Sequence, residues 1–147
     1  MSGIKNELVA LLNRALEMEH ASCIQYLAHA EMIKGPNAEP IIERLKEIAA
    51  DEQKHQDMLR NLIGGYLGGE PSMSLDKTYG GKDTVEILEV NLKGEKEAID
   101  YYKPIYQKLV ENKKDLPYEF ETLEHEIRHI IIDEQEHVVE LSTLLGK

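Results

Sequence analysis

The sequence predicts an all-α protein, a four-helix bundle with one long crossover between the second and third helices. Three observations predict it. Apolar residues recur at helical spacing through four long segments, Leu, Ile, Ala, Glu and Lys dominate the composition, and Gly and Pro cluster in the links between segments. Because 147 residues suffice for one core, we expect a single domain spanning residues 1–147.

The helix boundaries follow from caps and breakers. Gly35-Pro36 ends the first periodic segment, Asp83 with Glu86 is typical of a helix start, and Pro117 suits the first turn of the last helix. We therefore expect four helices, at roughly 3–34, 38–65, 84–112 and 117–145.

The lengths of the connections indicate the topology. Short links make the first two helices one antiparallel hairpin and the last two another. The middle link, from about residue 67 to residue 82, is rich in Gly and Pro. A helix of about 28 residues is ~42 Å long, and 16 extended residues reach ~50 Å. The link is therefore long enough to run back along a helix.

The inward apolar stripe of every helix is interrupted near its middle by acids. The first and third helices each carry one Glu on the stripe, and the second and fourth each carry Glu-x-x-His. The residues are Glu19, Glu52, His55, Glu95, Glu134 and His137. A Tyr follows the lone Glu of the first and third helices by seven residues, so the pattern is duplicated.

Four buried carboxylates would be strongly destabilising without compensation, because isolated buried charges are costly and like charges repel. No Lys or Arg lies on a stripe, but a pair of cations bound by these six residues would compensate them. Oxygen and imidazole ligands together suit iron or manganese, with zinc less favoured. One Glu from each of two helices plus Glu-x-x-His from the other two is the di-iron carboxylate pattern.

Four further residues are predicted to support these ligands. Asp51 and Asp133 each precede a ligand Glu, and we expect Asp51 to accept a hydrogen bond from His137 and Asp133 one from His55. Tyr26 and Tyr102 are expected to donate hydrogen bonds to ligand carboxylates. The alternatives are solvated helix acids and plain core aromatics.

Other motif matches have simpler interpretations. Glu17/His20 and Glu126/His129 repeat the Glu-x-x-His spacing off the stripes, and we interpret them as surface pairs. His29 is expected to be a structural histidine with satisfied hydrogen bonds.

Surface features give predictions about partners. Three leucines of the first helix lie off its stripe and predict a homo-oligomer, a dimer or larger assembly: Leu12, Leu16 and Leu27. The net charge of −11 argues against nucleic acid and favours cations. No apolar run approaches membrane-spanning length, the first residues lack a signal-peptide pattern, and Cys23 is the single cysteine. We expect a cytoplasmic protein.

With these residues assembled, the sequence resembles bacterioferritin, in the ferritin-like superfamily, over almost its whole length. The matching motifs are Glu19 with Gln25-Tyr26, Asp51-Glu52-x-x-His55, Leu92-x-x-Glu95 and Asp133-Glu134-x-x-His137. The resemblance implies a ferritin-like bundle that binds two iron ions and oxidises Fe(II) with oxygen or hydrogen peroxide for iron storage or detoxification.

The resemblance also implies roles for the ligands. Glu52 and Glu134 would bridge the two irons, Glu19 and Glu95 would be terminal ligands, and His55 and His137 would each complete one iron.

Two alternatives are a rubrerythrin-like peroxide reductase and a non-enzymatic metal-binding bundle. Gln53 stands where bacterioferritins carry their haem-binding methionine, so we predict no haem.

Overall fold

Four long helices form the bundle. In the computed structural model, which describes residues 3–147, they are α1 (Gly3–Ala30), α2 (Ala38–Asn61), α3 (Thr84–Glu111) and α4 (Phe120–Leu144). A π-helical turn (Leu62–Tyr66) continues α2, and a 3-10 turn (Lys113–Asp115) precedes α4. No strand occurs between residues 3 and 147. The prediction of an all-α four-helix bundle is confirmed.

Two helix ends differ from their predicted positions. The first helix ends at Ala30, because the N–H groups of Glu31 and Met32 donate to carbonyls three residues back and tighten the chain into a turn. The fourth helix starts at Phe120. Pro117 lies in the preceding turn, which is built on the fully buried Leu116.

The start of α3 matches its predicted cap. The Asp83 carboxylate accepts a hydrogen bond of 2.9 Å from the N–H of Glu86. This satisfies one of the free N–H groups at the helix start.

The crossover runs along α1 and is hydrogen-bonded to it repeatedly. Asn13 Nδ2 donates to the Glu70 carbonyl at 2.9 Å, and the Asp76 N–H donates to the Glu17 carbonyl at 3.0 Å. The His20 ring donates to the Ser74 carbonyl at 2.7 Å. Glu17 and His20 lie outside the ligand groups and are partly exposed, as expected of a surface pair. Both also bind the crossover, which the helical pattern could not indicate.

The apolar core has two parts, one on each side of the mid-bundle layer of acids. One cluster centres on the first half of α1 and the end of α2, and the other on the second half of α1 and the start of α2. Leu12 and Leu16 are completely buried in the first cluster. They were predicted to lie off the stripe on an outer face, but the π-helical turn and Leu67 of the crossover widen the buried face of α1.

None of the helices within residues 3–147 combines the length and apolarity needed to cross a membrane.

Candidate dinuclear metal centre

The six candidate ligands come together in the middle of the bundle. α1 and α3 supply one Glu each, and α2 and α4 supply a Glu and a His one helical turn apart. Every one of these side chains is at most 2% exposed: Glu19, Glu52, His55, Glu95, Glu134 and His137. The structure thus brings all six predicted residues into one buried cluster.

Within the cluster, the ligand atoms form two groups of four. The first group contains Glu19, Glu52, His55 and Glu134, and in each group one atom per residue lies within 4.8 Å of the others. The second group shares Glu52 and Glu134 with the first and is completed by Glu95 and His137. Two adjacent sites with two common carboxylates suit a pair of metal ions.

Unsatisfied atoms at the centre test whether these residues fit metal ions. Four atoms are buried without a hydrogen-bond partner among residues 3–147: Glu19 Oε2, Glu52 Oε1, His55 Nδ1 and Glu134 Oε1. His55 Nδ1 nevertheless lies 3.1 Å from Glu134 Oε1 and 3.4 Å from Glu19 Oε2. Buried polar atoms almost always have partners, and leaving one unpaired costs ~1–3 kcal/mol. A cation among these converging oxygen and nitrogen atoms would satisfy them all, so the residues fit a metal ion.

On the side away from the cluster, each histidine ring donates a hydrogen bond to an aspartate of the other Glu-x-x-His helix. His55 Nε2 donates to Asp133 Oδ2 at 2.8 Å, and His137 Nε2 donates to Asp51 Oδ2 at 2.8 Å. These are the crossed contacts expected from the sequence. Because Nε2 is fixed as the donor, Nδ1 of each ring is the nitrogen directed at the cluster.

Two tyrosines cross the bundle between α1 and α3. The Tyr26 hydroxyl donates to Glu95 Oε1 and the Tyr102 hydroxyl donates to Glu19 Oε1, each at 2.9 Å. Burial, reinforced by the nearby carboxylates, raises the pKa of both hydroxyls well above the usual range. Both tyrosines are therefore neutral donors that leave the second oxygen of each Glu for another partner.

Without a cation, the cluster balances its charge with protons. Burial and the charge of Glu52 raise the pKa of Glu19 to about 8, and burial and the same charge raise that of Glu134 well above its usual range. Burial opposes ionisation of Glu52, but the positive charge of the His55 ring, 3.5 Å from Glu52 Oε1, and that of His137 outweigh burial and lower the pKa of Glu52 to about 2. Burial also disfavours a charged His137, yet Glu95 raises the pKa of that ring to about 10. Bound divalent cations would replace these protons.

A polar network beside the centre was not predicted. Asn91 of α3 accepts a hydrogen bond from Gln25 Nε2 at 2.8 Å, and its own Nδ2 donates to His29 Nδ1 at 2.9 Å. His29 is buried, and burial lowers its pKa, which fits the structural role expected for it. Asn91 is itself buried. The sequence feature that could have predicted this network is the single amide on the inward face of the third helix.

The pair Glu126/His129 lies on the surface, as the sequence predicted. His125 and His129 are exposed, with ring centroids 4.3 Å apart, and Glu126 is partly exposed. None of them reaches the buried cluster.

A cavity of about 160 Å³ lies between α1 and α3 and reaches the cluster. Its lining includes the carboxylate-bearing residues Glu19, Glu52, Glu95 and Glu134, and also residues of the crossover. The buried centre is therefore connected to the surface on this side of the bundle.

Fold and site together define a class of protein, the helical bundles built around a carboxylate and histidine metal centre. The family model of the Ferritin-like domain matches residues 9–147, and the chain belongs to this family. The kinship with the ferritin-like di-iron superfamily expected from the sequence is confirmed.

A solved structure supports the same assignment. The chain is similar to a protein described as ferritin like, diiron-carboxylate, from Bacillus anthracis str. Ames, with a TM-score of 0.90 and 27% sequence identity. The similarity covers 99% of each chain. A search of curated proteins finds no match.

Proposed function

We propose that this protein is a di-iron ferroxidase of the bacterioferritin type, which oxidises Fe(II) with oxygen or hydrogen peroxide for iron storage or detoxification. The observation that carries the proposal is the pair of four-residue groups that share Glu52 and Glu134. A purely structural bundle has no need for four buried carboxylates, three of which have an oxygen without a hydrogen-bond partner among the described residues.

In this proposal, Glu52 and Glu134 would be shared by two iron ions. Glu19 and His55 would hold one of them, and Glu95 and His137 would hold the other. The donor set of oxygen and imidazole suits iron, with manganese or zinc as other possible occupants. The similar Bacillus anthracis protein is described as a diiron-carboxylate protein, which supports iron.

Fe(II) is the substrate, and two ferrous ions supply the two electrons that reduce one peroxide with two protons to two waters. The chain's contribution is placement and charge. The carboxylates favour the higher charge of the ferric product, and the Asp and Tyr hydrogen bonds hold the ligands in position. We propose no haem-binding residue in this chain.

The test mixes metal-free protein with two equivalents of Fe(II) and either oxidant in a stopped-flow instrument. Rapid oxidation that consumes peroxide only in proportion to iron supports the proposal. The control variant Glu126→Gln, on the surface of α4, is expected to oxidise iron at the wild-type rate, whereas Glu134→Gln is expected to lose rapid oxidation. Continuous peroxide consumption with an added reductant would instead indicate a rubrerythrin-like peroxide reductase. Absence of iron oxidation by a protein that binds metal would indicate a non-enzymatic bundle.

We also propose that the chain is one domain over residues 1–147 and acts as a homo-oligomer in the cytoplasm. The coverage of 99% of a ferritin-like chain supports the single domain. Ile24 and Leu27 of α1 and Met32 of the turn after it are about half-exposed and support an assembly through this end of the helix.

A further inference from the structure

The cavity beside the centre has walls of small residues. Ser22 of α1 and Gly94 and Ala98 of α3 line it between the two helices, and Asp76 and Tyr79 of the crossover lie at its rim. A volume of about 160 Å³ is enough to hold several waters. A hydrated ion that sheds part of its water would fit such a space.

Gly94 is an unusual residue for its position. It lies in the interior of α3, where glycine weakens a helix relative to alanine. No packing contact requires it, because an added Cβ would meet no atom within 4 Å. Its effect is to leave the cavity wall without a side chain.

The lining of the cavity offers ligand atoms that suit cations. Six of its lining residues are acids, Glu19, Glu52, Asp76, Glu95, Glu97 and Glu134, whereas its basic residues are Lys77 and Lys93. Two of these acids are paired with basic residues, since Glu97 lies 3.9 Å from Lys93 and Asp76 lies 3.0 Å from Arg14. Carboxyl oxygens, which divalent cations accept as ligands, therefore line the cavity from the crossover to the buried cluster.

Gln25 holds the two walls and the crossover together. Its Nε2 donates to Asn91 Oδ1 of α3 at 2.8 Å, and its Oε1 accepts from the Tyr79 N–H of the crossover at 2.7 Å. Gln25 also lines the cavity. One side-chain amide therefore fixes the spacing of α1, α3 and the crossover beside the opening.

We propose that this cavity is the passage by which divalent cations enter the dinuclear centre from the surface, with Ser22 and Gly94 setting its width. The inference rests on the proposed function, since it assumes that the buried cluster binds metal. It adds the route of entry and the residues that control it.

The test measures metal entry without iron oxidation. Metal-free protein is mixed with Co(II), and the visible absorption of the bound ion is followed in time. Gly94→Leu and Ser22→Leu narrow the passage from opposite walls and are expected to slow Co(II) association at least about tenfold. The final spectrum and the number of bound Co(II) ions should stay unchanged. Gly94→Ala adds one methyl group that meets no atom within 4 Å, so it should slow loading by less than Gly94→Leu does and should melt at a higher temperature.

Lys96→Leu is the matched control, because it adds the same side chain two residues away on an exposed part of α3 outside the cavity lining. It is expected to load at the wild-type rate. Wild-type loading rates in both Gly94→Leu and Ser22→Leu would overturn the passage and leave the proposed function standing. So would a reduced number of bound ions at an unchanged rate, because that result indicates damage to the centre. Failure of the unmodified chain to bind Co(II) would overturn both proposals.

Discussion

The two halves of the centre use the same parts in crossed positions. In one half, Glu19 accepts from a tyrosine of α3, and in the other, Glu95 accepts from a tyrosine of α1, both at 2.9 Å. The histidine of each half is held by an acid of the opposite helix at 2.8 Å. The outer hydrogen bonds are therefore symmetric.

The inner contacts are not symmetric. His137 Nδ1 donates to both oxygens of Glu95 at 3.3 Å, whereas Glu19 Oε2 and His55 Nδ1, which lie 3.4 Å apart, have no hydrogen-bond partner among residues 3–147. We therefore expect a cation to gain more by entering the half that contains Glu19 and His55, because it contacts atoms that no hydrogen bond reaches there. Identical ligand sets can thus differ in affinity through the contacts they make without metal.

Removing a shared carboxylate is expected to break both halves at once. Glu52→Gln should weaken binding of both ions by more than about a hundredfold, beyond the ~10–100-fold typical of outer hydrogen-bond partners. Calorimetric titration with Co(II) measures the loss, with Glu126→Gln as the unaffected control. A single remaining tight ion would show that Glu52 serves only one half.

Replacing an outer acid is expected to affect one half only. Asp133→Asn should weaken the ion held by His55, and Asp51→Asn the ion held by His137, each by ~10–100-fold. Mössbauer spectra of protein loaded with two equivalents of ⁵⁷Fe(II) can distinguish the two ions. An effect on the sequence neighbour instead of the crossed histidine would contradict the arrangement of Asp51 and Asp133.

The metal-free protein is expected to lose stability as pH rises from about 4.5, through the loss of the Glu19 proton, and more steeply above about 6.5, where His137 also contributes. Glu19 keeps its proton in the folded state up to a pKa of about 8, against 4.5 ordinarily, and His137 keeps its proton up to about 10, against 6.5. Over pH 6.5–8 the folded state therefore binds more protons than the unfolded chain, and stability falls with pH. The Glu52 pKa of about 2 acts only at lower pH.

Thermal melts between pH 6 and about 9 measure this decline. Glu19→Gln should flatten its part of the decline and raise the melting temperature at pH 8, because it removes one repelling charge. Saturating metal should largely abolish the decline. A melting temperature of metal-free protein that is constant or rises over this range would contradict the protonation described for the cluster.

The smallest expected effects come from the tyrosines. Within residues 3–147, Tyr102 supplies the one hydrogen bond that the Glu19 carboxylate accepts, whereas Glu95 keeps its bond to His137 after Tyr26→Phe. Loss of one hydrogen bond costs ~0.5–1.5 kcal/mol. Tyr102→Phe should therefore weaken metal binding a few-fold and Tyr26→Phe by less, as measured by Co(II) titration. Equal losses of metal affinity in the two variants would contradict the difference in hydrogen bonding between the two halves of the centre.

The sequence could predict the helices and the inward residues because both depend on local periodicity. Glu52 and His55 lie on the apolar stripe of α2, and the duplication in α4 identifies Glu134 and His137 by the same rule. Asp51 and Asp133 could be paired with the opposite histidines because antiparallel helices bring equivalent turns together.

The remaining features depend on how the crossover packs, which periodicity does not describe. Leu12 and Leu16 are buried because the turn after α2 and Leu67 cover them. Close approach of the crossover to α1 also explains Gly69, where a Cβ would lie 2.7 Å from both methyl carbons of Val9. The network of Gln25 and Asn91 likewise requires three segments that are distant in sequence.

The distribution of ligands over the helices has a consequence for the order of assembly. Each group of four takes residues from both hairpins, since Glu134 joins Glu19 and His55, and Glu52 joins Glu95 and His137. Neither hairpin alone contains a complete group. A bound pair of ions would therefore cross-link the two hairpins, as a disulfide does. Such a cross-link reduces the number of conformations open to the unfolded chain between the linked residues. Amide hydrogen exchange in α1 and α3 should slow together on metal binding, because separation of the hairpins would first require release of the ions.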